Sequence, residues 1–245
     1  MTKDEKPQYE VETKGENGWE PFSEADFATL HNDLDTLDGW TLIKDKKGIK
    51  SYFCELKGTD CIKAKVNTTF NVSAATLYDV LADPDYRTQW DETVLANEVV
   101  EKINKSNEIC YFASKFPAPL SDRDWVLKTV YDIRTMENGL KQYIIMDRSV
   151  VDEKVPPKKK FERAHSFIIG YRVRELPKSE GETEDKCVLD YISSNDFQGK
   201  IPKSIVNMAI KKMGPACLVK LGEVAKDYPA WKEKHNPENK PWTLV

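Results

Sequence analysis

A hydrophobic period of two, repeated along most of the chain, does more than any other feature to limit the fold. Ile62, Ala64, Val66, Thr68 and Phe70 fall on one side of an extended strand, and Lys63, Lys65 and Asn67 fall on the other. Comparable runs occupy 40–45, 49–56, 94–101, 107–116, 124–134, 141–150, 162–174 and 186–194, with turns such as Glu137-Asn138-Gly139 and Lys178-Ser179-Glu180-Gly181 between them. About nine strands joined by short turns imply a largely antiparallel sheet.

Helical spacing interrupts this pattern. Ser23 is placed to cap an amphipathic helix through Phe27, Leu30, Leu34 and Leu37, and Ser73 to cap Ala74 to Leu81. Asp83-Pro84 restarts a second short helix, with cap and N1 proline in their expected order. From Pro202 to about Tyr228, apolar residues return at helical spacing: Ile205, Ala209, Met213, Cys217, Leu221, Val224 and Tyr228. Gly214-Pro215 lies in the middle of this segment and is expected to kink it. The class is α+β, a curved antiparallel sheet followed by one long, kinked helix, an arrangement able to enclose an apolar cavity. Residues 1–22 read as a flexible acidic leader, 23–235 as the folded domain and 236–245 as a C-terminal tail.

Composition narrows the function. Residues 1–40 hold eleven acids against three lysines (net −8), and residues 202–234 hold seven lysines against three acids (net +4). An acidic front argues against a nucleic-acid partner, whereas the basic segment, with Lys203, Lys211, Lys212, Lys220 and Lys226, suits transient contact with anionic membrane surfaces or is simply a solvated helix face. No apolar run approaches the ~18 residues a membrane helix needs, and the N-terminus lacks the apolar core of a signal peptide, so the expectation is a cytoplasmic monomer, peripheral at membranes. The five cysteines are odd in number and form no Cys-x-x-Cys pair, which signals neither a disulfide framework nor a zinc site. The common hydrolase, phosphate-loop, dinucleotide and zinc-protease motifs are missing, and of His31, His165 and His235 only His165 lies in a strand. It reads as a core or cavity histidine. The expectation is a protein without catalytic residues, cofactor or metal.

Three motifs in order sharpen the reading: Asp83-Pro84-Asp85-Tyr86-Arg87-Thr88-Gln89-Trp90-Asp91, Phe116-Pro117-Ala118-Pro119-Leu120-Ser121-Asp122-Arg123-Asp124, and Gly199-Lys200-Ile201-Pro202 ahead of the long helix. Together they resemble the START domain, the steroidogenic-acute-regulatory-related lipid-transfer family, over roughly residues 25 to 235, and within it the phosphatidylcholine-transfer-protein-like subgroup. The resemblance implies a helix-grip fold around a lipid tunnel. It also implies a carrier that encloses one phospholipid, of phosphatidylcholine or phosphatidylethanolamine type, and moves it between membranes. A carrier of another apolar ligand (sterol, fatty acyl species or isoprenoid or carotenoid pigment) is the alternative, followed by a cavity-based acyl hydrolase with His165 as base.

By the same resemblance Arg87 binds the lipid phosphate and Asp91 supports it. Their i, i+4 spacing puts both on one helix face, although spacing alone describes an ordinary surface ion pair as well. Phe112, Trp125 and Phe167, with Tyr191 as a fourth, match an aromatic cage that holds a quaternary ammonium by cation–π attraction. Alternation supports Trp125, which faces away from Lys128, and places Phe167 on the side of Ile169 and Tyr171. Phe112 and Phe167 stand where the choline-binding pattern has tryptophan and tyrosine, which leaves an ethanolamine headgroup open. Phe116, Pro117, Pro119 and Leu120 match a lid over the tunnel mouth, with Met213 and Gly214 of the helix as its other side.

Overall fold

The computed structural model describes residues 11–46, 48–55, 61–178, 181, 183–199, 201–202, 205 and 214–243. Nine strands form one antiparallel ladder. In chain order they are β2 (Thr41–Lys46), β3 (Ile49–Glu55), β4 (Ile62–Phe70), β5 (Val94–Lys102), β6 (Asn107–Ser114), β7 (Asp122–Thr135), β8 (Lys141–Val151), β10 (His165–Glu175) and β11 (Cys187–Asp196). Their spatial order is β2-β3-β4-β11-β10-β8-β7-β6-β5, while two short strands, β1 (Glu12–Thr13) and β9 (Phe161–Arg163), pair in parallel with β8 and β7.

The two faces of the ladder separate by alternation. On β8, Ile144 and Met146 turn to one face, where Phe27, Leu30 and Leu34 of α1 (Glu24–Asp35) cover them together with Val130, Ile168 and Ile192. A capping box between Ser23 and Asp26 starts α1 as the sequence requires. Gly170 lets it lie close to β10, because a Cβ there would run into the Leu30 side chain. Tyr143 and Ile145 turn the other way, toward α2 (Ala74–Ala82), α3 (Pro84–Trp90) and α4 (Gly214–Lys234). Ser73 caps α2 and Asp83 caps α3, with Pro84 in the first turn.

Asp83 does more than cap. Its Oδ1 accepts from the backbone amides of Asp85 (3.0 Å) and Tyr86 (3.2 Å), and its Oδ2 accepts from the Tyr228 hydroxyl (3.0 Å) and Lys232 Nζ (2.9 Å). This carboxylate is only 1% exposed. A second clamp lies beside it, where the Tyr86 hydroxyl donates to the Val224 carbonyl at 2.7 Å. The helices behind the sheet are thus fastened to each other by polar groups as well as by apolar packing.

Two expectations need correction. Residues 11–22 are not a flexible leader: Glu12–Thr13 pair with Val150–Val151, Glu12 accepts from the buried Lys128 at 2.6 Å, and Trp19 (7% exposed) and Phe22 (8%) sink into apolar clusters. The acidic composition conceals two large aromatics whose burial outweighs the polarity of their neighbours. Residues 236–243 are not a loose tail either. Trp242 is 3% exposed, its indole donates to Asp79 Oδ1 (2.7 Å), its carbonyl accepts from the Tyr78 hydroxyl (2.8 Å), and Lys240 pairs with Asp79 at 2.6 Å. The expected kink at Gly214-Pro215 falls at the edge of the described residues, and within the described helix, Gly214–Lys234, the interior proline is Pro229. Met213, with Lys203, Lys211 and Lys212, lies outside the described residues.

Removing the Asp83 carboxylate strands the Lys232 ammonium in a buried site and opens an α3 cap. Asp83→Ala is therefore expected to lower unfolding stability by about 3–5 kcal/mol in urea titration. The Asp83→Ala/Lys232→Met pair recovers part of that loss, since no lone charge remains. An unchanged midpoint for Asp83→Ala would refute this account.

Candidate functional site

Between the inward face of the sheet and the α2–α3 junction lies a cavity of about 330 Å³. Strand alternation supplies its wall: Trp125, Leu127, Thr129 and Tyr131 from β7, Ile145 and Asp147 from β8, Ile169 and Tyr171 from β10, and Tyr191, Ser193 and Asn195 from β11. Asn97, Cys110 and Phe112 close one end, and Leu81, Ala82 and Arg87 form the helical side. The lining is largely apolar and aromatic, with a few polar groups converging on the interior, as ligand sites generally are.

Arg87 occupies the position its helix was expected to give it. Its Nε and Nη2 each lie 2.9 Å from Asp91 Oδ2, and its guanidinium stacks 4.8 Å from the centre of the Trp90 ring. Asp91 is held in turn by the Thr93 hydroxyl (2.6 Å) and amide (3.2 Å) on Oδ1. Burial works against the Asp91 charge, yet Arg87 and the Thr93 bonds hold its carboxyl below the usual range. Among the described residues Nη1 has no acceptor. The pair thus presents a fixed, partly unspent cation to the cavity rather than a surface ion pair.

The aromatic cage assembles only in part. Phe112 and Trp125 adjoin at 5.8 Å between ring centres, and Tyr191 stacks on Tyr171 at 4.9 Å. Phe167 does not join them. It is the extra residue of a β-bulge, where Ser166 pairs with Asn195 and Ile168 with Ser194, and it lines a separate, more open hollow with Glu12, Thr13, Arg148 and His165. Alternation holds from Ile169 onward but cannot be carried back across a bulge. His165 likewise lines that hollow and not the cavity.

The segment expected to be a lid lies against the Trp125 end. Phe116 packs on Phe197 (5.3 Å) and Trp125 (6.5 Å), and Leu120 N–H donates to the Pro117 carbonyl in a turn that contains a cis Ala118-Pro119 bond. Arg123 fastens it, a role that sequence reasoning missed. Buried at the start of β7, Arg123 donates Nε to the Phe197 carbonyl (3.1 Å), Nη2 to the Gln198 carbonyl (3.1 Å) and Nη1 to the Ser121 carbonyl, and it stacks on Phe116 at 4.7 Å. One guanidinium therefore joins the lid to the segment that follows β11. Backbone acceptors leave no trace in sequence, so only the burial of an arginine whose partners among the described residues are carbonyls reveals the clasp.

Asp147 was also missed. It sits deep in the sheet but keeps partial accessibility because its free surface faces the cavity, and Oδ1 accepts from the Thr129 hydroxyl at 2.7 Å. Burial pushes its carboxyl up to about 6; the Glu108 charge adds to the rise, while Thr129 and Arg87 oppose it. Glu108 itself accepts from the Tyr131 hydroxyl (3.1 Å) and the Cys110 thiol (3.4 Å).

Comparison with known proteins gives a consistent picture. A model described as START domain matches residues 23–226. The chain is 32% identical over 221 residues to START domain-containing protein 10 of Mus musculus, covering 89% of this chain and 72% of that protein. It is 29% identical to the phosphatidylcholine transfer protein of Bos taurus, covering 77% of this chain and 85% of that one. The crystal structure of human STARD10 superposes with a TM-score of 0.78 at 30% identity, over 93% of this chain and 89% of its own. The human StAR-related lipid transfer protein 5, at 18% identity and a TM-score of 0.71, shares the fold.

Two outcomes follow from the geometry. A carboxyl whose folded pKa lies near 6 against an ordinary 3.8 favours the folded state when protonated. That contribution is complete below pH 3.8 and is lost as pH rises through 6. Asp147→Asn is thus expected to raise the stability of ligand-free protein at pH 7.5 by about 2–3 kcal/mol, and by less at pH 5, in thermal unfolding. Arg123→Met, by contrast, is expected to release both loops, lowering amide-exchange protection in 116–121 and 197–199 by about tenfold or more while β8 stays protected. Equal exchange in the two proteins would show that Arg123 is no clasp.

Proposed function

The chain belongs to the START domain family, and on that basis we propose that it is a non-enzymatic carrier which encloses one phospholipid and moves it between membranes. A helix-grip cavity supports binding of an amphiphile. The single observation that carries the phospholipid assignment is Arg87, held by Asp91 and Trp90 at the cavity wall with a guanidinium N–H that no described residue accepts. A guanidinium matches phosphate in geometry and charge, and the relatives named as transfer proteins support the same reading. A sterol or pigment would leave this cation unanswered.

The energetics explain why a carrier is needed. Each acyl CH₂ hidden from water is worth about 0.8 kcal/mol, so two long chains crossing water unaided face some tens of kcal/mol. A cavity of about 330 Å³ lies at the low end of ligand sites and takes a headgroup with its glycerol rather than two extended chains. Loading therefore involves separation of the Phe116–Ser121 lid from the helical side, at a membrane surface where lysines of the C-terminal helix meet anionic headgroups. The carrier works as a cytoplasmic monomer, peripheral at membranes.

Native mass spectrometry of the chain after incubation with phosphatidylcholine or phosphatidylethanolamine vesicles tests the proposal. One phospholipid per chain is expected, and Arg87→Ala is expected to reduce loading by about tenfold or more, the loss of a charge-assisted bond. Unchanged loading by Arg87→Ala would move the assignment to an apolar ligand without phosphate.

A further inference from the structure

The cavity holds one ionisable group that phosphate binding does not use. Asp147 is turned inward by the same alternation that turns Ile144 and Met146 toward α1, and it stands among Thr129, Ser193 and Asn195 in the lining. Among the described residues Asp147 accepts one side-chain hydrogen bond, from the Thr129 hydroxyl to Oδ1, and no lysine or arginine pairs with it. The cation that bears on it, Arg87, spends Nε and Nη2 on Asp91. Glu108, the other acid bearing on Asp147, is taken by Tyr131 and Cys110.

A carboxylate placed inside a protein without a cation weakens the fold, and such a group persists where a ligand answers it. We propose that Asp147, positioned by Thr129, accepts the ligand's ammonium group and makes this cavity prefer a primary-amine headgroup to a quaternary one. The inference rests on the phospholipid reading of the same site and names the headgroup that the reading leaves open. A primary ammonium offers three N–H donors and can come within hydrogen-bond distance of Asp147, with Thr129, Ser193 and Asn195 as further acceptors. A trimethylated ammonium offers none, and its methyl groups hold the charge away from the carboxylate. Quaternary groups are held instead by the faces of several aromatic rings. Here that alternative is weakened, since Phe167 lies in another hollow and the rings of Phe112, Trp125, Phe116 and Phe197 pack on one another at 5.3 to 6.5 Å.

The test uses the full chain and vesicles containing phosphatidylethanolamine, its N-methyl and N,N-dimethyl forms, or phosphatidylcholine, all with the same acyl chains. Loading is read by native mass spectrometry and transfer by exchange between vesicles. Wild-type loading is expected to fall with each added methyl group. In Asp147→Asn the ratio of phosphatidylethanolamine to phosphatidylcholine loading is expected to drop by about tenfold, the worth of a charged hydrogen bond. Asp147→Asn is not expected to misfold, and its thermal unfolding checks this directly. A ratio unchanged from wild type, including one in which both lipids are lost in equal proportion, would overturn the inference while leaving the carrier reading intact. If the wild-type chain loads none of the four lipids, the phospholipid reading fails and takes this inference with it.

Discussion

Asp83 carries four donors on one buried carboxylate, two from the backbone that starts α3 and two from side chains of the last helix. The position of the ligand site depends on that meeting point. Arg87 stands one turn beyond the cap, so the direction in which its guanidinium enters the cavity is fixed by where α3 begins. Tyr228 and Lys232 arrive from a stretch more than a hundred residues later and bring α4 against the same corner. A buried charge in such a junction is poor at adding stability but strict about geometry, because few arrangements satisfy all four donors at once.

The cavity contrasts with that corner. Around Asp83 the charges are matched within the protein, whereas inside the cavity, among the described residues, Arg87 is matched only in part and Asp147 pairs with no cation. Charges left unmatched in a low-dielectric interior weaken the fold and strengthen any interaction with an incoming charge of opposite sign. A zwitterionic headgroup brings both signs at once. On the proposed reading, the apolar wall serves chains of any headgroup and the polar groups tell headgroups apart.

Much of this was legible in the sequence. The nine strands follow from period-two runs, the starts of α1, α2 and α3 from Ser23, Ser73 and Asp83, and the inward set on β7 from the alternation of Trp125, Leu127, Thr129 and Tyr131. The Arg87–Asp91 pair follows from helical spacing. What escaped has common physical causes. One inserted residue at Phe167 reverses the expected side, and bulges have no reliable signature. Trp19, Phe22 and Trp242 are fixed by partners far away in sequence, as are Arg123, whose acceptors are carbonyls, and Asp147, whose importance lies in the lack of a neighbouring cation. Periodicity reports which face a residue occupies, and not what waits on that face.

The edges of the fold set a minimum length for any working fragment. The family match spans 23–226, yet Tyr228 and Lys232 complete the Asp83 corner, Lys240 and Trp242 cover Asp79, and Glu12 answers the buried Lys128 from the opposite end. A piece cut to the matched boundaries would keep every strand of the main ladder and every described cavity residue while losing the groups that neutralise three buried charges. Domain boundaries drawn from sequence similarity and boundaries drawn from charge balance differ here by 11 residues at the start and 16 at the end.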